Sequence, residues 1–110
     1  MMENPSRRQT QLAETFAHLA GIFFARESNR ESLITVTRAD VAADLKNATI
    51  YISVLPESAE EKAILFAKRE RSALRDYVKS KVATGSIPTF DVVIDYGEKN
   101  RQRVDEGLRV

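Results

Sequence analysis

The sequence predicts a small α+β domain whose elements follow the order helix, strand, strand, helix, helix, strand. Two stretches, Ala48–Leu55 and Thr89–Tyr96, alternate apolar and polar residues as strands with one buried face must. The chain opens on an apolar stripe at helical spacing, and a second helical pattern, interrupted in its middle, separates the two alternating stretches. A chain of 110 residues is one domain, and it buries roughly 65% of the surface its unfolded form exposes, enough to fold without staples.

The first helix is expected over Arg7–Ala25. Leu12, Phe16, Leu19, Ala20 and Phe23 recur on one side, and Ser6 and Gln9 have capping-box spacing, which makes Ser6 the N-cap. Gly21 inside this pattern weakens it by about 1 kcal/mol relative to alanine. Either the sheet packs closely against its backbone, or the helix simply tolerates it. Residues 26–32 form a polar connection to a first strand over Leu33–Val41.

The turn Asp44-Leu45-Lys46-Asn47 leads into a second strand, Ala48–Leu55, in which Ile50, Ile52 and Val54 face one side and Thr49, Tyr51 and Ser53 the other. Pro56 ends it. Ser58 and Glu61 form a second capping-box pair, opening a helix near Ala59 with Glu60 and Glu61 in its first turn. Ala63, Ile64 and Ala67 begin an apolar face that Leu74, Tyr77, Val78 and Val82 resume, while Arg71 occupies a position the stripe should hold. Two helices meeting near Glu70–Ser72 account for the break. Gly85 is the expected C′ residue of the second, and Pro88 fixes the approach to the last strand, Thr89–Tyr96. That strand must return by a helical crossover, leaving a three-stranded sheet covered by helices on one face. Residues 97–110 are polar, with Val104 and Leu108 at helical spacing, and form a short helix or a tail.

Composition excludes several function classes. No cysteine is present, so there is neither a disulfide framework nor a thiolate metal site, which fits a reducing cytoplasm. No apolar run approaches the ~18 residues that span a bilayer, and the N-terminus lacks a signal-like apolar segment. A soluble cytoplasmic protein with no membrane role is expected. The only histidine, His18, falls on the flank of the first helix, and no cysteine or second histidine could activate a nucleophile. Asp91 and Asp95 are expected to share the solvent face of their strand, ~13 Å apart, too far for a metal pair. Asp40 and Asp44 flank a turn, where aspartate is common without further role. The four glycines are scattered, and no phosphate-cradling pattern occurs. No enzyme, cofactor or small-molecule substrate is indicated.

Charge is the remaining signal. The net charge is only +1, yet residues 62–81 carry seven basic side chains against two acidic ones, a local +5, while the rest of the chain carries ten against fourteen, a local −4. Such a face either solvates a helix or meets an acidic partner. Arg71, Arg75 and Lys79 step by four along one helical side, with Arg69 beside them; these suit RNA phosphates. Lys68, Lys81, Lys46 in the hairpin turn, and Arg7 and Arg8 at the N-terminus extend the patch. Tyr51 and Tyr96 are ordinary strand residues without an RNA-stacking signature.

The stretch ITVTRADVAADLKNATIYISVL, the LRDYVKSKV helix and the IPTFDVVID strand resemble the ribosome-binding factor A family, with Asp44, Leu45, Ala48, Arg75 after Leu74, and Pro88-x-Phe90…Asp95 as the most family-like residues. The resemblance implies a type II KH-like fold in which a helix–kink–helix replaces the RNA-clamping GxxG loop, absent from this chain. It also implies a monomer that binds the free small (30S) ribosomal subunit and its 16S rRNA, assisting late maturation, rRNA 5′-end processing and growth in the cold. One departure is visible: Glu70-Arg71-Ser72 stands where the family has Ala-x-Gly at the kink, so a serine must permit the bend and Arg71 adds charge. The alternative is a small protein–protein interaction module with the same fold and no direct RNA role.

Overall fold

The structure, a computed structural model, describes residues 5–27, 32–83 and 85–97. Helix α1 spans Arg7–Glu27, β1 Leu33–Val41, β2 Asn47–Leu55, α2 Glu60–Arg69, α3 Arg71–Lys81 and β3 Thr89–Ile94, with a 3₁₀ turn at Glu57–Ala59. The expected order is therefore observed, and α1 runs two residues beyond its expected end. The expected segment 97–110 lies outside the described residues from 98 onward.

Strand β2 is central: β1 pairs with it antiparallel and β3 parallel. The parallel pair demands a crossover, which α2 and α3 supply. Ala48, Ile50, Ile52 and Val54 of β2 are buried, as are Phe90 and Val92 of β3 and Ile34 and Val41 of β1. The helices close this face with Phe16, Ala20, Phe23 and Phe24 from α1, Ala63 and Ala67 from α2, and Leu74 and Val78 from α3. Phe16 meets the Phe90 ring edge-on at 5.3 Å, joining the first helix to the last strand. His18 is exposed, as its place on the flank implied.

The Ser6–Gln9 capping box forms in both directions: Gln9 N–H donates to Ser6 Oγ at 3.1 Å and Ser6 N–H to Gln9 Oε1 at 2.8 Å. Gln9 Nε2 also donates to the Val41 carbonyl at 3.0 Å, tying the start of α1 to the end of β1. The second capping box does not form. The 3₁₀ turn feeds straight into α2, so Ser58 already lies inside a helical run and lacks the extended backbone an N-cap needs; α2 begins without a side-chain cap.

At Gly21 the structure selects simple tolerance, and two further expectations change. A Cβ at Gly21 would meet nothing within 4 Å, so no close sheet approach requires this glycine. Helix α3 ends at Lys81 with extended backbone at Val82, so Gly85 is not a C′ residue, and no described glycine has positive φ. Strand β3 stops at Ile94, and the backbone turns helical at Tyr96. Tyr96 is consequently exposed, and Asp95, expected on the solvent face, is 4% exposed. A β-bulge between Val36 and Arg38 accommodates it. The Thr37 hydroxyl, at the bulge, donates to Asp95 Oδ2 at 2.6 Å, and Asp95 N–H extends the ladder to the Ile52 carbonyl at 2.8 Å.

Leu74→Ala should cost about 2–5 kcal/mol in urea unfolding with an unchanged m-value, because the side chain is fully buried. Ser6→Ala should cost about 1 kcal/mol through the lost cap, and Ser58→Ala should fall within about 0.5 kcal/mol of the parent. An equal cost for the two serines would contradict the capping assignment.

Candidate nucleic-acid interface

The break between α2 and α3 is a single residue. Glu70, at φ −88° and ψ 6°, sits in the bridge region between two helical runs. Its N–H still bonds the Phe66 and Ala67 carbonyls, and its own carbonyl accepts from Leu74 N–H at 2.8 Å, so the chain bends without losing its hydrogen bonds. The bend lets both helices press an apolar face on β3 while their charged sides meet around its outer strand face.

There Lys68 and Arg71 converge on Asp91. Lys68 Nζ lies 3.0 Å and Arg71 Nη1 3.4 Å from Asp91 Oδ1. Arg71 Nε also donates to the Lys68 carbonyl at 2.9 Å, satisfying a C-terminal acceptor of α2. Burial pushes the Asp91 carboxyl upward, but the bond from Lys68, the bond from Val92 N–H and the two nearby cations outweigh it, holding the group below the usual carboxylate range. Arg75, half-buried one turn on, donates from Nη2 to the Ile87 carbonyl at 3.0 Å. Its role is thus partly structural.

Ile87 and Pro88 lead to a second group. Arg8 from α1 and Lys46 from the hairpin turn line one recess with Gly85, Ser86 and Pro88. Both are exposed, as is Arg7. Thr89 N–H donates to the Lys46 carbonyl at 3.0 Å, which pins the turn to the start of β3. A basic band therefore runs from Lys68 and Arg71 past Arg75 to Lys46 and Arg8. Arg69 and Lys79 are exposed and make no ion pair among the described residues. Lys81 stands apart, its Nζ 5.6 Å from the Tyr77 ring centre, with the Arg26 guanidinium at the same distance.

Sequence reasoning misses Arg26, which it places in the polar connection, and the counter-ion role of Asp91, which needs tertiary contacts to see. It also misses a stack on the sheet's open face: the Arg38 guanidinium lies 3.6 Å from the Tyr51 ring centre and pairs with Asp40 at 3.0 Å and Asp95 at 3.7 Å. The bulge at Thr37 sets that register, and no sequence signal announces it. Among the described residues there is no cluster able to hold a metal ion and no helix long and apolar enough to cross a membrane.

Asp91 supplies a pH test. Its lowered pKa means that its contribution is complete above the usual aspartate range and is lost as pH falls through the lowered value. Stability of the parent should therefore fall more steeply below about pH 4 than that of Asp91→Asn. Urea midpoints measured across the acid range check this; parallel curves would refute the assignment.

The family model described as Ribosome-binding factor A matches residues 8–108. A ribosome-binding factor A from Chelativorans sp. is 27% identical over 96% of this chain and 83% of its own length. One from Desulfitobacterium hafniense is 31% identical, covering 91% of this chain and 93% of the relative. The crystal structure of ribosome-binding factor A from Thermus thermophilus superposes with a TM-score of 0.67 at 22% identity, covering 78% of this chain and 94% of that one. The solution structure of a Thermotoga maritima protein described as a putative ribosome binding factor A gives 0.65 at 17% identity, covering 84% and 91%. The helix–kink–helix, the mixed sheet and a family match spanning nearly the whole chain agree, and this protein belongs to the ribosome-binding factor A family.

Proposed function

We propose that this chain is a non-enzymatic assembly factor that binds the free small ribosomal subunit and its 16S rRNA in the cytoplasm. In this reading it assists late maturation, including processing of the rRNA 5′ end. Membership of the family carries the reading, and the basic band supports it. A relative from Thermus thermophilus has been fitted, as a homology model, into a cryo-EM map of a 30S complex with ribosome binding factor A; it superposes here with a TM-score of 0.61 at 18% identity.

The band divides by availability. Arg69, Lys79, Lys46, Arg7 and Arg8 can meet phosphates without breaking an ion pair within the described residues. Lys68 and Arg71 share one carboxylate, so the trio still presents net positive charge. Each phosphate neutralised releases condensed counterions, so affinity should fall with log salt at a slope of about −0.7 to −0.9 per contact.

Purified protein should co-sediment with isolated small subunits at low salt and dissociate as salt rises. Arg69→Glu with Lys79→Glu should weaken that binding by about tenfold or more and flatten the salt slope, with only a few degrees lost in melting temperature (about 0.3–1 kcal/mol per carboxylate placed in the last turn of a helix). Absence of co-sedimentation at low salt would overturn the proposal. A protein-interaction module is the second reading, favoured by Leu33 and Leu55, which face each other across β1 and β2 and are both more than half exposed. That function should survive the charge reversal.

A further inference from the structure

We infer that the recess beside the hairpin turn takes one unpaired nucleotide of an RNA strand, an inference that rests on the proposed RNA role and names the form of RNA involved. The recess encloses about 370 Å³, within the range of small-ligand pockets (about 300–1,000 Å³). Three separate parts of the chain build it: the first turns of α1, the hairpin turn, and the approach to β3. Its inner wall is apolar, with Leu12, Phe16, Val41, Leu45 and Pro88, and its charged groups are Arg8, Lys46 and Asp44. Two cations against one carboxylate leave it net positive.

The turn that forms one wall is rigidly held. The Asn47 carbonyl accepts from Ala42 N–H at 2.8 Å, the Ala42 carbonyl from Leu45 N–H at 2.8 Å, and Asp44 Oδ1 from Lys46 N–H at 2.9 Å. Leu45 is the one described non-glycine residue with positive φ, at 61°. A branched side chain holds that conformation only where its surroundings over-determine it, and such residues concentrate at ligand-binding sites. Here the strained residue is itself a wall of the recess, and Leu45 also packs on the core.

These walls match a nucleotide better than a bare phosphate. A base has two apolar faces to set against Leu12, Leu45 and Pro88, whereas a free anion would meet apolar surface and the Asp44 carboxylate. Arg8 and Lys46 are placed to take the phosphates on either side, and Asp44 offers an acceptor for a base amino group. A base paired within an A-form duplex cannot enter a concave site; it must leave the stack, as bases in loops and single strands do.

Gly85 provides the test. It lines the recess, its φ is ordinary, and a Cβ there would meet nothing within 4 Å, so a larger side chain can be built without a clash at its first atom. Fluorescence anisotropy on the full chain would compare a short single-stranded oligoribonucleotide, a blunt RNA duplex of the same strand length and adenosine 5′-monophosphate at fixed salt. The single strand should bind at least about fivefold tighter than the duplex, a gain that seating one base against aliphatic walls supplies by burying about 40 Å² of apolar surface. Gly85→Leu should abolish that preference with an unchanged melting temperature, and Gly85→Ala should reduce it less. Lys46→Ala should weaken the single strand and lower the salt slope by about one phosphate contact. A persistent preference in folded Gly85→Leu overturns the inference. Competition by the free monophosphate supports it, whereas competition by inorganic phosphate at the same concentration, the mark of a bare anion site, overturns it. A parent protein that sediments with small subunits yet binds strand and duplex equally overturns the recess and leaves the assembly role standing; loss of both overturns both.

Discussion

The parallel pairing of β3 with β2 constrains everything else in this molecule. A parallel partner cannot be reached by a hairpin, so the chain must leave β2 at Leu55, cross one face of the sheet and return beside Asn47. The crossover is where α2 and α3 lie, and it places the local excess of lysine and arginine alongside β3. Burial of Ile50, Ile52 and Val54 fixes which face the crossover must cover, because a one-residue slip would turn all three toward water. The basic surface is thus a consequence of strand topology before it is a property of any single cation.

Within that surface, charge is held in two ways. Lys68, Arg71 and Arg75 are bonded to Asp91, the Lys68 carbonyl and the Ile87 carbonyl, which limits their side-chain freedom and fixes their direction. Arg69, Lys79, Lys46 and Arg8 make no such ion pair among the described residues and extend into solvent. Held cations lose little entropy on meeting a phosphate but must compete with a partner they already have; extended ones have the opposite balance. A surface combining both suits a partner whose backbone is long and repetitive, since register comes from the fixed groups and most of the counterion release from the others.

Periodicity made most of this architecture legible. The two strands of the hairpin, the capped start of α1 and the break near Glu70 follow from spacing alone, because each rests on local chemistry. What spacing could not reach was whatever depends on neighbours distant in sequence. Ser58 has the residue type and spacing of a cap, but a preceding 3₁₀ turn makes its backbone helical. Asp95 continues an alternating pattern on the open face, yet the Thr37 hydroxyl at the bulge and the Arg38 guanidinium cover it there and shut it off from solvent. The nine cations were named from composition and helical phase, and that level of description cannot separate Arg75, whose carbonyl partner lies twelve residues on, from the solvent-exposed Lys79.

The kink shows why a departure in sequence need not be a departure in shape. An Ala-x-Gly at this bend suggests that backbone freedom is required, but Ser72, where that glycine falls, lies within α3, and neither it nor the bridge-region Glu70 has positive φ. The demand at the bend is instead for a tie that holds the two helices at their angle, since the Glu70 N–H and carbonyl already keep the backbone bonded. Arg71 meets that demand directly: its Nε caps the Lys68 carbonyl while its Nη1 reaches Asp91. The arginine that interrupts the apolar stripe therefore belongs to the bend itself, and its charge reaches the basic band as a by-product of holding α2 and α3 at their angle.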